Sequence, residues 1–171
     1  MQMVKNIFIM LLIGWMALLL FMPKQELYYK LEQLMETQTL KINEKSIEEG
    51  LFSLTINEAD IYAKGIKIAT AHKIDIFSVL FYSKIEVNLL KIDDSLNTMT
   101  PTDIESIKAT HAVWNPLNVN IHTEGSFGSA SGMLGLIDND VRLDFNASQA
   151  TAPFKDKLSK DEEGWYYETS L

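Results

Sequence analysis

The side chains in this sequence that are able to hold a metal or move a proton are few and poorly spaced for it. His72, His111 and His122 are the only histidines. None stands in an H-E-x-x-H or comparable spacing, and without cysteine no thiolate completes a zinc set. His111 and His122 would form a metal pair only from neighbouring strands, and surface or edge-strand histidine is the default reading. Asp93-Asp94 and Asp138-Asn139-Asp140 lack the D-x-[DN]-x-[DN]-G spacing with a distal Glu that a calcium loop needs, so they read as turns. The glycines from Gly125 to Gly135 suggest a phosphate loop. No helix follows whose N-terminus would hold the phosphate, and no lysine stands where a P-loop needs one. No G-x-S-x-G nucleophile elbow occurs, and Asn146-Ala147-Ser148, a formal glycosylation acceptor, falls in an expected strand. The expectation is therefore no catalytic residue, no metal and no cofactor, with an enzyme a distant third reading.

What the chain offers instead is a set of elements sorted by hydropathy. From Ile7 to Met22, IFIMLLIGWMALLLFM carries no charge and is followed at once by Pro23-Lys24. With Val4 it approaches the roughly 20 residues that a helix needs to cross about 30 Å of hydrocarbon. The run is apolar all round, unlike a core helix, which keeps a polar side. It ends in Leu20-Phe21-Met22-Pro23 without an A-x-A pattern, so retention as an anchor is expected over cleavage. Lys5 and the short leader 1–6 place the N-terminus in the cytoplasm and the remainder, 38–171, outside the inner membrane in the periplasm.

That remainder is one domain's worth of chain. A net charge of −8 and a pI near 4.8 argue against nucleic acid and against electrostatic docking on anionic lipid. The bilayer itself, reached through the anchor, is the expected partner surface, together with envelope proteins. Without disulfides, stability rests on burial and hydrogen bonding.

Residues 23–37 predict a second, amphipathic helix, with proline suited to its first position and Leu27, Leu31, Leu34 and Met35 in one stripe. Its expected role is to cap the following β domain. Trp15, Phe21, Met22, Tyr28 and Tyr29 are the expected interfacial residues, the aromatics lying at headgroup depth. After Thr37 the period changes from near 3.6 to 2. Leu40 and Ile42, then Phe52, Leu54 and Ile56, then Ala59, Ile61 and Ala63, then Ile66 to Ile76, and then Ile85, Val87 and Leu89 alternate with polar residues. Such alternation marks half-buried antiparallel strands, so the fold class is mainly β: a meander-like, twisted antiparallel sheet after two helices.

Two stretches depart from simple alternation. Phe77-Ser78-Val79-Leu80-Phe81-Tyr82 is apolar on both sides. It reads as a strand covered on both faces by the 23–37 helix, or as an edge in contact with lipid or a partner. Between Gly125 and Gly135, glycines at 128, 132 and 135 punctuate a strand whose hairpin partner runs from Val141 to Ala147 through an Asp138-Asn139-Asp140 turn. Glycine so placed marks bulges or close approach of another backbone. Phe77, Val79, Leu80, Phe81, Gly128, Gly132 and Gly135 are accordingly the candidate contact residues. Gly164 to Leu171 reads as a final paired strand, and the mixed charges from Lys155 to Glu163 as a loop or short helix.

The anchor with Met22-Pro23 and Leu27-Tyr28-Tyr29-Lys30-Leu31-Glu32, the run Gly125-Ser126-Phe127-Gly128 through Gly132-Met133-Leu134-Gly135-Leu136-Ile137, and Gly164-Trp165 together resemble bacterial envelope proteins of the type II secretion N-protein group and the wider AsmA-like group. The resemblance implies a single-span inner-membrane protein whose periplasmic sheet supports a secretion apparatus or handles lipid. It brings no catalytic residue. The first expectation is thus a non-enzymatic structural or assembly component of an envelope machine, acting by strand addition. The alternative is a lipid-binding or lipid-transfer module with an apolar groove.

Overall fold

The computed structural model describes residues 2–21, 23–37, 39–93, 103–146, 158–161 and 164–170. Two helices, α1 (Gln2–Phe21) and α2 (Lys24–Thr37), precede ten strands. These are β1 (Leu40–Glu49), β2 (Ser53–Ala63), β3 (Ile66–Val79), β4 (Tyr82–Ile92), β5 (Asp103–Ala112), β6 (Asn115–Gly125), β7 (Gly128–Gly135), β8 (Asp140–Phe145), β9 (Ser159–Lys160) and β10 (Trp165–Ser170). All ten form one antiparallel sheet in which each strand lies beside its neighbour in sequence as far as β8; β10 then inserts between β8 and β9. The fold is mainly β, as alternation requires.

α1 starts five residues before the charge-free run, because nothing between Gln2 and Asn6 breaks a helix. It stops at Phe21, where Pro23 disfavours helical backbone in the residue before it. Pro23 opens the next helix, its carbonyl accepting from the Leu27 N–H at 3.1 Å. Among the residues whose side chains are described, no helix is long and apolar enough to cross a membrane. Leu19 and Leu20 within α1, and Met22 after it, fall outside that set. No described element packs extensively on α1, whose large apolar side chains from Met3 to Phe21 are mostly exposed.

Five strands share one irregularity. Cross-strand pairing skips Lys45 opposite Glu58, Glu58 opposite His72, His72 opposite Leu89, and Leu89 opposite Glu105. Apolar positions change parity across this line: Leu54 and Ile56 give way to Ala59 and Ile61, and Ala69 and Ala71 to Ile74 and Ile76. Each strand therefore turns two successive residues to the polar side, as a β-bulge does. Glu58 and Leu89 accommodate it with positive φ of 49° and 52°. Because partners carry the extra residue at the same level, pairing resumes in register, Glu44 with Ala59 and Ser46 with Asn57. The row ends at β5, where pairing to β6 slips by one residue between Ile104 and Ser106.

The expected two-sided strand at 77–82 is instead a hairpin. β3 ends at Val79, Leu80 and Phe81 form the turn, and β4 starts at Tyr82. Leu80 takes the positive φ that the turn demands. β5 is extended throughout, from Asp103 to Ala112. The turn at Asp138-Asn139-Asp140 is present, Asn139 supplying its positive φ. Most of 155–163 and Ala147 lie outside the described residues.

Candidate functional site: an apolar sheet face and the cleft under α2

Opposed residues in the register share a face, and their composition divides sharply. One transverse row reads Ile76, Ile85, Ala109, Ile121, Gly132, Leu143 and Tyr167. The next reads Ile74, Val87, Ile107, Thr123, Ala130, Phe145 and Trp165. This face is apolar from β1 to β10. α2 lies against it at the β1 end, chiefly over β1 and reaching β2 and β3, and there the core concentrates: Tyr28, Leu54, Ile56, Ala59 and Ala71 are buried together, with Ile74, Ile76, Val87 and Leu90 packed around them. Farther along no described helix lies extensively over the face, and Ile85 is 45% exposed, Leu117 50% and Tyr167 36%.

Two acids interrupt the apolar face, both on β1, and α2 meets each. Glu44 Oε2 accepts from the Tyr28 hydroxyl at 3.3 Å. Glu49 Oε1 lies 3.6 Å from Lys24 Nζ and accepts from the Lys24 N–H at 3.3 Å. Burial, followed by the negative charge of Glu44, pushes the Tyr28 phenol well above its ordinary range. α2 is thus held on its β1 flank by polar contacts. On its other flank a cleft of about 250 Å³ remains. Leu27, Tyr28 and Leu31 wall it from the helix, Phe52, Leu54 and Ile76 from the sheet, with Lys24, Ser53 and Ser78 at the margin.

The opposite face is polar and largely self-paired. Asp60 lies 2.7 Å from Lys67 and accepts from the Thr70 hydroxyl, and these hold its carboxyl below the usual carboxylate range although burial opposes them. Burial likewise works to raise Asp75, but hydrogen bonds from Lys73 and Thr55, with the charges of Lys73 and Lys84, leave it lowered. Lys45 pairs with Glu58 at 2.9 Å, and Lys84 with Glu86 at 2.8 Å. Arg142 reaches Asp144 and Asp161 and lies 4.4 Å over the Tyr166 ring. A trough of about 590 Å³ on this face, between Lys45 and Lys91, is lined by several of these paired groups. His122 pairs in register with Lys108 on the polar face, Nδ1 lying 3.0 Å from Ser131 Oγ, whereas His111 pairs with Ser83 on the apolar face. The two histidines sit on neighbouring strands but on opposite sides, so they do not converge. Among the described residues no group of three or more His, Asp or Glu side chains is placed to hold a metal ion.

The remaining expected site residues scatter. Trp15, Phe21 and Tyr29 are exposed, and Met22 lies outside the described residues. Tyr28, expected beside Tyr29 at headgroup depth, is 6% exposed and belongs to the core. Phe77 and Val79 fall on the polar face, where the Phe77 and Tyr82 rings meet at 6.5 Å between centroids. Leu80 and Phe81 are exposed at the hairpin tip. None of these four lines the cleft. Gly132 belongs to the apolar face; a Cβ there would run into the Arg142 carbonyl of β8. At Gly135 a Cβ would meet the Asp140 carboxylate, and Gly128 has a φ of 91° in the turn after Phe127. Of the three, Gly132 serves close approach of the sheet's own strands. Sequence reasoning passed over Glu44 and Glu49: Glu44, an acid at an apolar position of the Leu40-Ile42 alternation, marks a covering partner, whereas Glu49 reaches the same face only through the parity change at Lys45. Comparisons with family models, with curated proteins and with solved structures return no match for this chain.

Proposed function

We propose that this chain is a non-enzymatic, single-span inner-membrane protein whose β domain lies in the periplasm and handles lipid, its apolar sheet face accepting acyl chains. The observation that carries the reading is the apolar face itself, which continues from β1 through β8 to β10 while α2 covers only the end formed by β1 and the adjoining parts of β2 and β3. A surface of this kind is unfavourable in water and is ordinarily occupied. Acyl chains need no directional partner, which suits a face whose two acids are already engaged by α2. The anchor is supported by the 20-residue length of α1, which at 1.5 Å per residue is about 30 Å, the thickness of the hydrocarbon layer.

Two measurements test this. The full chain should stay in the membrane pellet after an alkaline carbonate wash; its release would remove the anchor. Native mass spectrometry of the chain released from mild detergent should show bound phospholipid, and a lipid-free mass throughout would remove the lipid role. A second reading, a structural or assembly component of a secretion-type envelope machine, is favoured by one feature. Among the described residues β9 pairs only with Trp165 and Tyr166, and Tyr167 to Ser170 of β10 have a described strand partner on the β8 side alone, the arrangement that strand addition uses. Co-purification of envelope proteins that is lost on placing proline at Glu168 would support it.

A further inference from the structure

We infer that the cleft under α2 is the port through which an acyl chain passes from the bilayer onto the apolar face. The inference rests on the lipid-handling reading and deepens it by naming the entry site.

Three features point to this site and this occupant. The cleft is walled by Leu27, Leu31, Phe52, Leu54 and Ile76 together with the ring side of Tyr28, whose hydroxyl is already spent on Glu44. Its charged margin is Lys24, which is engaged by Glu49, so the interior presents no free charge and favours hydrocarbon over any polar ligand. Lys24 stands three residues beyond Phe21, the end of α1. If α1 lies in a bilayer, the cleft therefore opens at the headgroup boundary, where acyl chains are within reach. The cleft floor also continues directly into the exposed face. Ile76 pairs with Ile85, and the same row runs through Ala109 and Ile121 to Leu143 and Tyr167. A chain entering beneath α2 meets no polar step between the port and the far strands. The polar links of α2 lie on its β1 flank, so the β2 and β3 flank is the side open to entry.

The test uses the full chain in phosphatidylethanolamine and phosphatidylglycerol vesicles containing a phospholipid with a photoreactive diazirine near the end of one acyl chain. Cross-linked residues are mapped by mass spectrometry. The wild type should be labelled in the cleft, at Leu27 or Phe52, and on the far face, at Ile85 or Tyr167. Ser78→Trp fills the cleft from an exposed position, and Leu27→Trp fills it from the helix side, so one serves if the other fails to fold. In a variant that keeps the wild-type melting temperature, labelling of Ile85 and Tyr167 should fall to background. Undiminished far-face labelling in both variants would overturn the port and leave the lipid reading standing. Absence of sheet labelling in the wild type would instead remove the lipid reading and the port with it.

Discussion

Truncating two isoleucines of the same face should cost very different amounts of stability. Ile56 is 1% exposed and sits between β1 and β3 among Tyr28, Leu54, Ala59 and Ala71. Two of these neighbours are alanines, too short to collapse into the space that Ile56→Ala opens. The loss should lie in the upper part of the range for buried isoleucine, about 3 to 5 kcal/mol. Ile85, on β4, points to the same face but is 45% exposed. Ile85→Ala removes roughly half as much buried surface and leaves a notch that water fills, so about 1 to 2 kcal/mol is expected. Against a domain stability of about 5 to 15 kcal/mol, the first change removes a large fraction and the second a small one. Urea titration of the full chain in detergent micelles, followed by circular dichroism of the β signal, measures both, provided the slopes agree with wild type. Equal losses would refute the reasoning, because the face beyond β3 would then be packed as tightly as the part beneath α2. Added phospholipid should raise the cost of Ile85→Ala if acyl chains occupy that face.

Further outcomes follow from three individual contacts. Tyr28→Phe should cost about 1 to 2 kcal/mol by leaving Glu44 without its hydroxyl donor, measured by the same unfolding. In an alkaline ultraviolet titration the wild type should show one phenol ionising later than the others, and Tyr28→Phe should abolish that late step. Since the folded-state value is raised, the stability tied to neutral Tyr28 is present below about pH 10 and is lost as pH climbs through the folded value. Asp75 is the opposite case: its lowered folded value stabilises the protein above about pH 4, and that contribution disappears as pH falls through the folded value. Thr55→Val should move the Asp75 carboxyl back towards the ordinary range in an NMR titration, and an unchanged midpoint would show that the Thr55 hydrogen bond does not matter. Gly132→Ala should destabilise by roughly 2 kcal/mol or more, because the Arg142 carbonyl it meets is backbone and has little room to retreat; a melting temperature equal to wild type would contradict the close β7–β8 approach.

Much of the fold was legible in the sequence because burial on one side imposes a period of 2, and Leu40-Ile42, Val119-Ile121 and Val141-Leu143 display it plainly. The turn at Asp138-Asn139-Asp140 was legible because its residues tolerate positive φ. The bulged row was not. Leu54-Ile56 and Ala59-Ile61 look like separate runs when a strand keeps its direction but shifts parity, and only the pairing with β1 and β3 shows one continuous β2. Phe77 to Tyr82 misled for a related reason. Its apolar residues divide between a strand end and a hairpin tip, and composition alone cannot locate the reversal. Tyr28 and Tyr29 are adjacent aromatics of identical type, yet one is core and the other exposed; helix rotation against the sheet decides between them, and that is set by Glu44 and Glu49. The cleft itself depends on how α2 lies across β2 and β3, information spread over more than 50 positions between Leu27 and Ser78.

The aligned irregularity through Lys45, Glu58, His72, Leu89 and Glu105 also constrains how such a domain can change in evolution. Losing a single residue at that level from one strand would turn half of its side chains inside out relative to both neighbours. Lengthening or shortening strands there demands matched edits in five places, an improbable event. Gaining or shedding an entire hairpin at the β10 side disturbs none of those alignments. Relatives of this chain are therefore expected to vary in how many strands they carry while conserving the level at which the first five are interrupted.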